Sequence, residues 1–364
     1  MLSNTEPFNT IFKISKFYGY WQPSLISKSH KVFAAVAFVV FQPSMILFSL
    51  FSLSKANNVN EVTTSIAFTF IFTLSTNDSI MFIINNEKIE DFFDYFTEVL
   101  DENPKAWESI NKICEDFYNS SKRKAKIFVI WFTAAFIGTF TQGSFVNIWH
   151  LEAAKKDYRI FIGLGIFLCL DFGYAAFVSF MLQDFSNQML GILQTFVECF
   201  QEELKNMDLK GENGKQNLTK CIKMHQNVKK IMKKYIEIVQ YPLGFRIVSS
   251  AYLLCTMTFV ATNPNSQIEF VSVFMIISII QQFKPCNIAQ QIETGSENFI
   301  FSITETNWID ADLKTKSLLV TFMINLIKPT LKLRLFGFID VNLETFTRNI
   351  NIAYSTYTVL NSIH

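Results

Sequence analysis

Charge is what this 364-residue sequence has least of. Asp, Glu, Lys and Arg make up 17% of it, where a soluble domain carries about 25%. The two signs nearly cancel, with 32 basic against 31 acidic residues. That excludes a strongly basic nucleic-acid surface and the polar, highly charged composition of a disordered chain. Six cysteines are too few for a disulfide scaffold, and the four histidines at 30, 150, 225 and 364 lack metal-ligand spacing. There is no P-loop, nucleophile elbow or zinc motif, and Gly163-Leu-Gly165 lies inside an apolar run rather than a strand-turn-helix setting. No catalytic site, metal or cofactor is expected, and no nucleic acid as partner.

What is abundant is apolar: half of all residues, 40 of them Phe, with a mean hydropathy of +0.24. Residues 32–54 and 127–151 contain no Asp, Glu, Lys or Arg. Each run exceeds the roughly 20 residues that cross a bilayer core as a helix. The first starts too late and runs too long for a cleavable signal peptide. These runs predict a multi-pass, all-α membrane protein, with the lipid bilayer as its surroundings.

Seven spans are predicted. They are 32–54 with a kink at Pro43, 62–84 with Asp78 near its end, 126–150, about 160–182 with Asp171 inside, about 242–262 entered at Tyr241-Pro242, about 268–284, and 339–363. A shorter run, 317–327, leaves open a split final helix. The parts are then an N-terminal segment 1–31, spans one to five over 32–262, a sixth span with inner helices over 263–338, and a last helix over 339–364.

Loop charge sets orientation. With the N-terminus inside, 26 of the 32 basic residues fall on the inner side and only Lys55, Lys155, Lys156 and Arg159 on the outer. Seven spans then put the C-terminus outside, the reverse of a G-protein-coupled receptor. All six cysteines fall in spans or inside, and so do the sequons at Asn119 and Asn217, which would stay unmodified. The inner segments read as helices: Phe185, Met189, Ile192, Leu193 and Phe196 share one face, as do Leu218, Ile222, Val228, Ile231 and Tyr235. Gly211-Glu-Asn-Gly214 reads as the turn between them. Lys229, Lys230, Lys233 and Lys234 read as a solvated face, with anionic lipid as the alternative.

The C-terminal third resembles the insect odorant receptor family, which are ligand-gated cation channels. The likeness is carried by Phe283-Lys-Pro-Cys286, Gly295-Ser-Glu-Asn298 and Trp308, then Leu318 through Lys328-Pro329. It continues in Asn342-Leu-Glu-Thr-Phe346 and in Ala353 through Leu360, and His225 also fits. Thr304 departs from the aromatic common four residues before the Trp. Gustatory relatives end in Thr-Tyr, five apolar residues and Gln-Phe; here Thr356-Tyr357 is present but the end is Ile363-His364. The invariant co-receptor is much longer. The resemblance therefore implies an odorant-specific tuning subunit in a heterotetramer with the co-receptor, in the plasma membrane of sensory dendrites. A gustatory-type channel is the alternative, and a transporter or a G-protein-linked receptor a more distant one.

The last span mixes Asn349, Asn351, Ser355, Thr356 and Thr358 with apolar residues and has no acid or base from Asn349 onward. A lipid-facing helix has no use for so many amides and hydroxyls; a helix lining a weakly selective pore does. Val359 and Ile363 are four apart, hence on one face, and the resemblance places them at the family's hydrophobic constriction. Lipid or helix packing is the competing reading. With the family's pocket as guide, Phe68, Phe72, Gly138, Gln142, Phe145, Tyr174, Phe270 and Phe274 are the ligand-contacting candidates. Gln142 and Tyr174 supply hydrogen bonds and Gly138 leaves room. Each Phe alone fits core packing or the lipid face better than ligand contact. Asp171 and Arg246 are isolated charges at similar depth, either a structural pair, a snorkelling Arg246, or a ligand role for Asp171.

Overall fold

The computed structural model describes residues 42–56, 59–103, 106, 108–117, 119–120, 123–124, 126–127, 130, 158–261, 268–327 and 331–363. The segment 1–31, most of the predicted third span and the polar turn at 263–266 lie outside the described residues. The helices are α1 (Gln42–Lys55), α2 (Val59–Ile84), α3 (Asn86–Asp101), α4 (Tyr158–Lys205), α5 (Gly211–Ala261) and α6 (Ile268–Glu297). They are followed by α7 (Phe299–Thr304), a 3-10 turn at Trp308–Asp310, and α8 (Leu313–Ile327). Two short strands, β1 (Arg334–Leu335) and β2 (Ile339–Asp340), precede α9 (Leu343–Ile363). Helical residues between 106 and 130 lead toward the third predicted span.

Two helices are far longer than a bilayer requires. α4 has 48 residues and α5 has 51, about 72 and 76 Å at 1.5 Å per residue. The inner extensions read from 183–206 and 218–239 are thus continuations of spans four and five. Their apolar faces close an inner core with α3: Phe92, Phe93, Leu193, Phe196, Val228 and Ile231 are all fully buried. Pro242 and Pro285 lie inside α5 and α6 without ending them. Helix α5 is the central element, packing against α2, α3, α4, α6, α8, α9 and β1.

The structure corrects the sequence reading in three places. The turn before α5 is at Asn206–Lys210, not 211–214; Gly211 opens the helix with φ +69°. Gly214 is needed because the incoming chain lies against the helix, where a Cβ would stand 2.2 Å from the Leu209 carbonyl oxygen. Leu209 is buried there, its N–H held by Asn307 Oδ1 at 2.8 Å. Second, the last helix begins at Leu343, because 334–340 form a hairpin whose turn places Phe336 and Gly337 at positive φ. The Phe336 ring sits on α5 at Gly244, where a Cβ would come within 2.3 Å of it. Third, the 317–327 run is no half of a split span: it belongs to α8, whose Leu319, Phe322 and Leu326 are buried in the inner core.

The lysine run of α5 is partly engaged. Lys234 pairs with Asp91 of α3, and Lys230 stands 4.0 Å over the Tyr95 ring. Tyr95 in turn donates to Asn227 Oδ1 at 2.9 Å.

His225 closes the inner core. It stacks on Phe200 at 5.9 Å and meets Phe299 and Phe322 edge-on at 6.2 and 5.6 Å. Burial, with Lys229 adding to it, pushes its pKa down to about 4. The folded protein thus holds a neutral imidazole while the unfolded chain protonates near 6.5. The contribution is complete above about pH 6.5 and is lost as pH falls toward 4, because only the unfolded state takes up the proton there. Thermal melts from pH 7.5 to 5 should show a declining melting temperature, and His225→Phe should flatten that decline. An equal decline in the variant would place the proton uptake elsewhere.

Candidate ligand pocket, charge node and pore helix

The N-terminal portions of α2, α4 and α6 carry five of the aromatic candidates. Phe68 and Phe72 are one turn apart on α2, Tyr174 is on α4, and Phe270 and Phe274 are one turn apart on α6. Helical residues four apart share a face, so each Phe pair presents two rings together. The Phe72 side chain is buried, 1% exposed. The side chains of Phe68, Tyr174, Phe270 and Phe274 lie outside the described residues, as do Gly138, Gln142 and Phe145 altogether. Beside Phe72, α2 meets α5 and α6 in a small apolar cluster of Leu74, Leu253 and Met257, with Phe70, Ile71 and Met275 against it. The Phe70 and Tyr252 rings are 4.7 Å apart. Helix α5 was absent from the sequence-based pocket, since its central place appears only once the bundle is assembled.

Below this cluster four helices converge on one guanidinium. Arg246 of α5 donates through Nη2 to the carboxylate of Asp78 on α2. The same nitrogen donates to Ser179 Oγ of α4 at 3.0 Å, and Nη1 donates to Gln281 Oε1 of α6 at 2.8 Å. Ser179 donates to Asp78 Oδ2 at 3.0 Å. Asp78 is 3% and Arg246 7% exposed, so the pair is buried. Arg246 is therefore taken up by Asp78, an acid the sequence showed at the end of span two without a partner. Asp171 lies on α4, eight residues before Ser179, with its side chain outside the described residues. Depth can be counted along a sequence, but which helix faces meet cannot.

The last helix is two-faced. Its inner face packs on α5 and α6: Ala353 is buried against Leu254 and Cys255, with Ile350 and Tyr357 beside it. Asn349 Nδ2 donates to the Ile247 carbonyl at 2.9 Å and to Ser250 Oγ at 3.2 Å, both on α5. Ile247 follows Arg246 directly, so the node and the last helix grip the same turn of α5. The opposite face carries Asn351, Ile352, Ser355, Thr356 and Val359, all exposed, with Val359 at 57%. A shallow groove runs along Leu343, Thr347, Asn351, Ser355 and Thr356. Ile363 ends the helix, its side chain outside the described residues. The described cysteines, at 114, 199, 221, 255 and 286, are free thiols.

Residues 58–354 match the 7tm odorant receptor family. The chain belongs to the insect odorant receptor family. Among curated proteins it is similar to Odorant receptor 94a of Drosophila melanogaster, 28% identical over 43% of this chain and 42% of that receptor. It is also similar to Odorant receptor 85c of the same fly, 24% identical over 44% of this chain and 42% of that one. Each of these matches thus spans under half of the relative's length. Over 98% of both chains it superposes on the insect olfactory receptor OR5 from Machilis hrabei in complex with eugenol, with a TM-score of 0.69 and 14% identity. The odorant receptor family is one of membrane receptors with a seven-transmembrane helical fold, not of enzymes.

Proposed function

We propose that this odorant receptor is a tuning subunit of an odorant-gated, non-selective cation channel, with its N-terminus in the cytoplasm and its C-terminus outside. A volatile, mostly apolar ligand binds in the outer half of the bundle, against the faces bearing Phe68, Phe72, Gly138, Gln142, Phe145, Tyr174, Phe270 and Phe274. The pore is lined by the exposed face of α9, with Ser355 and Thr356 along it and Val359 and Ile363 as a constriction that dewets when closed. One α9 cannot enclose a channel, so several subunits surround an axis, here a heterotetramer with the co-receptor in the plasma membrane.

The observation that carries this reading is the division of α9. Its apolar side is used up against α5 and α6, while a side of amides, hydroxyls and spaced aliphatics stands open in the single chain. A lipid-facing helix would present the reverse. The receptor from Machilis hrabei, solved with eugenol, supports a ligand of about a dozen heavy atoms. At roughly −0.5 kcal/mol per atom such a ligand binds near −6 kcal/mol, or tens of micromolar.

The test is whole-cell current in cells expressing this chain with a family co-receptor, against a panel of volatiles. Fast inward current in co-expressing cells, with a ligand-free component raised by Val359→Ser, is the expected result. Glycosylation at Asn217 in those cells would overturn the topology, and an unchanged current in Val359→Ser would remove α9 from the gate.

A further inference from the structure

Asp184 is an acid with too many partners. It lies on α4 just past the predicted end of span four and is 5% exposed. Its Oδ1 accepts from Lys124 Nζ at 2.7 Å and from Lys284 Nζ at 3.3 Å, and its Oδ2 accepts from Gln188 Nε2 at 3.0 Å. Lys124 comes from the helical residues leading to span three, and Lys284 ends the sixth predicted span. Two ammonium groups thus share one carboxylate, close enough that each opposes the charge on the other. Among the described residues the cluster brings two ammonium groups to one carboxylate, and both lysine side chains remain 32% exposed.

The surroundings point the same way. Arg123 and Lys126 flank Lys124 and are exposed. Farther along the same segment toward the span, Ile127 and Ile130 are 59% and 69% exposed. Phe283 beside Lys284 is 43% exposed and packs on Phe346 at 5.4 Å. Basic groups therefore stand at the ends of spans three and six, held by an acid at the end of span four, with bare aliphatic surface at Ile127 and Ile130. A free inorganic anion would have no use for the apolar part; a lipid with a negative headgroup matches both parts.

We propose that Lys124 and Lys284, held by Asp184, form a site for the headgroup of an anionic phospholipid. The phosphate sits between the two ammonium groups, and an acyl chain lies along Ile127 and Ile130. An occupied site clamps the inner ends of spans three, four and six. Assigning it to the cytoplasmic leaflet rests on the topology proposed above; the headgroup chemistry does not.

The experiment uses the purified full-length chain in detergent, titrated with short-chain phosphatidylserine, short-chain phosphatidylcholine or inorganic phosphate, and followed by native mass spectrometry and thermal melting. Phosphatidylserine should be retained and should raise the melting temperature, whereas phosphatidylcholine and inorganic phosphate at equal concentration should not. Lys124→Gln should weaken retention about fivefold, and Lys124→Arg should restore it. The glutamine variant leaves Asp184 paired with Lys284, so its fold is kept, and its melting temperature without lipid checks this. Equal retention of phosphatidylcholine, equal stabilisation by inorganic phosphate, or unchanged retention by Lys124→Gln would each overturn the site. No step depends on channel activity, so a failed current assay and a failed lipid site are distinguishable.

Discussion

Arg246→Ala is expected to cost about 3–5 kcal/mol, because it leaves Asp78 as a lone buried charge. The same variant strips donors from Ser179 and Gln281, so α2, α4 and α6 lose their common tie to α5. A protein of marginal stability does not survive a loss of that size. The expected result is near-complete disappearance of the monodisperse peak in size-exclusion chromatography, and of surface protein in cells. Asp78→Asn should be milder, since the amide oxygen still accepts from the guanidinium. The double variant Asp78→Leu with Arg246→Met should recover much of the folded protein, since an apolar pair of similar volume avoids the desolvation of both charges. If Arg246→Ala melts at the temperature of the parent, the node is ornamental and α5 is held by apolar packing alone.

Asn349→Ala carries the second large effect, on gating rather than on folding. The side chain is 8% exposed and donates two hydrogen bonds to α5. Losing them leaves the Ile247 carbonyl and Ser250 with weaker partners, at about 1–3 kcal/mol. Those bonds hold the inner end of α9 where Val359 faces away from α5. On the proposed gate at Val359 and Ile363, freeing that end weakens the constriction. We expect a ligand-free current and a half-maximal odorant concentration lowered about fivefold or more, the size of a typical coupling energy. Surface expression should stay near that of the parent, which separates this variant from Arg246→Ala. A dose-response curve superposing on that of the parent would show that α9 moves independently of this turn of α5.

Both variants act on the same stretch of α5, and that is where a route from ligand to pore can be argued. Phe70, Ile71 and Leu74 of α2 meet α5 at Leu253 and Met257; Arg246 collects α2, α4 and α6; Asn349 takes hold of the next residue, Ile247. A ligand shifts a gate only through different contacts in the two states, and α5 packs against α2, α4, α6 and α9 alike.

Much of this was readable along the chain. Charge-free runs mark spans because a charge in hydrocarbon is expensive, and α2 and α4 begin within three residues of their predicted starts. The long inner extensions were legible from the period of their apolar residues. Both proline-containing segments continue as helices, which composition could not decide, since neighbouring contacts determine whether a proline kinks or ends a helix. The family was legible from motifs in the C-terminal third.

What the sequence could not determine was pairing between helices. Asp171 and Asp78 are both lone acids in apolar runs, and a linear count cannot say which one faces Arg246. Helix rotation and the tilt set by packing decide that, and they put Asp78 there. The same holds for Asn349, whose amide is one polar group among several until α9 is docked and only its inner face finds acceptors. His225, a bare motif match, gains its neutral state from three aromatic rings contributed by α4, α7 and α8. Local pattern and hydropathy are properties of neighbours in the chain, so the sequence holds them. Charge pairing, burial and the faces of a helix are properties of neighbours in space, which only the folded bundle brings together.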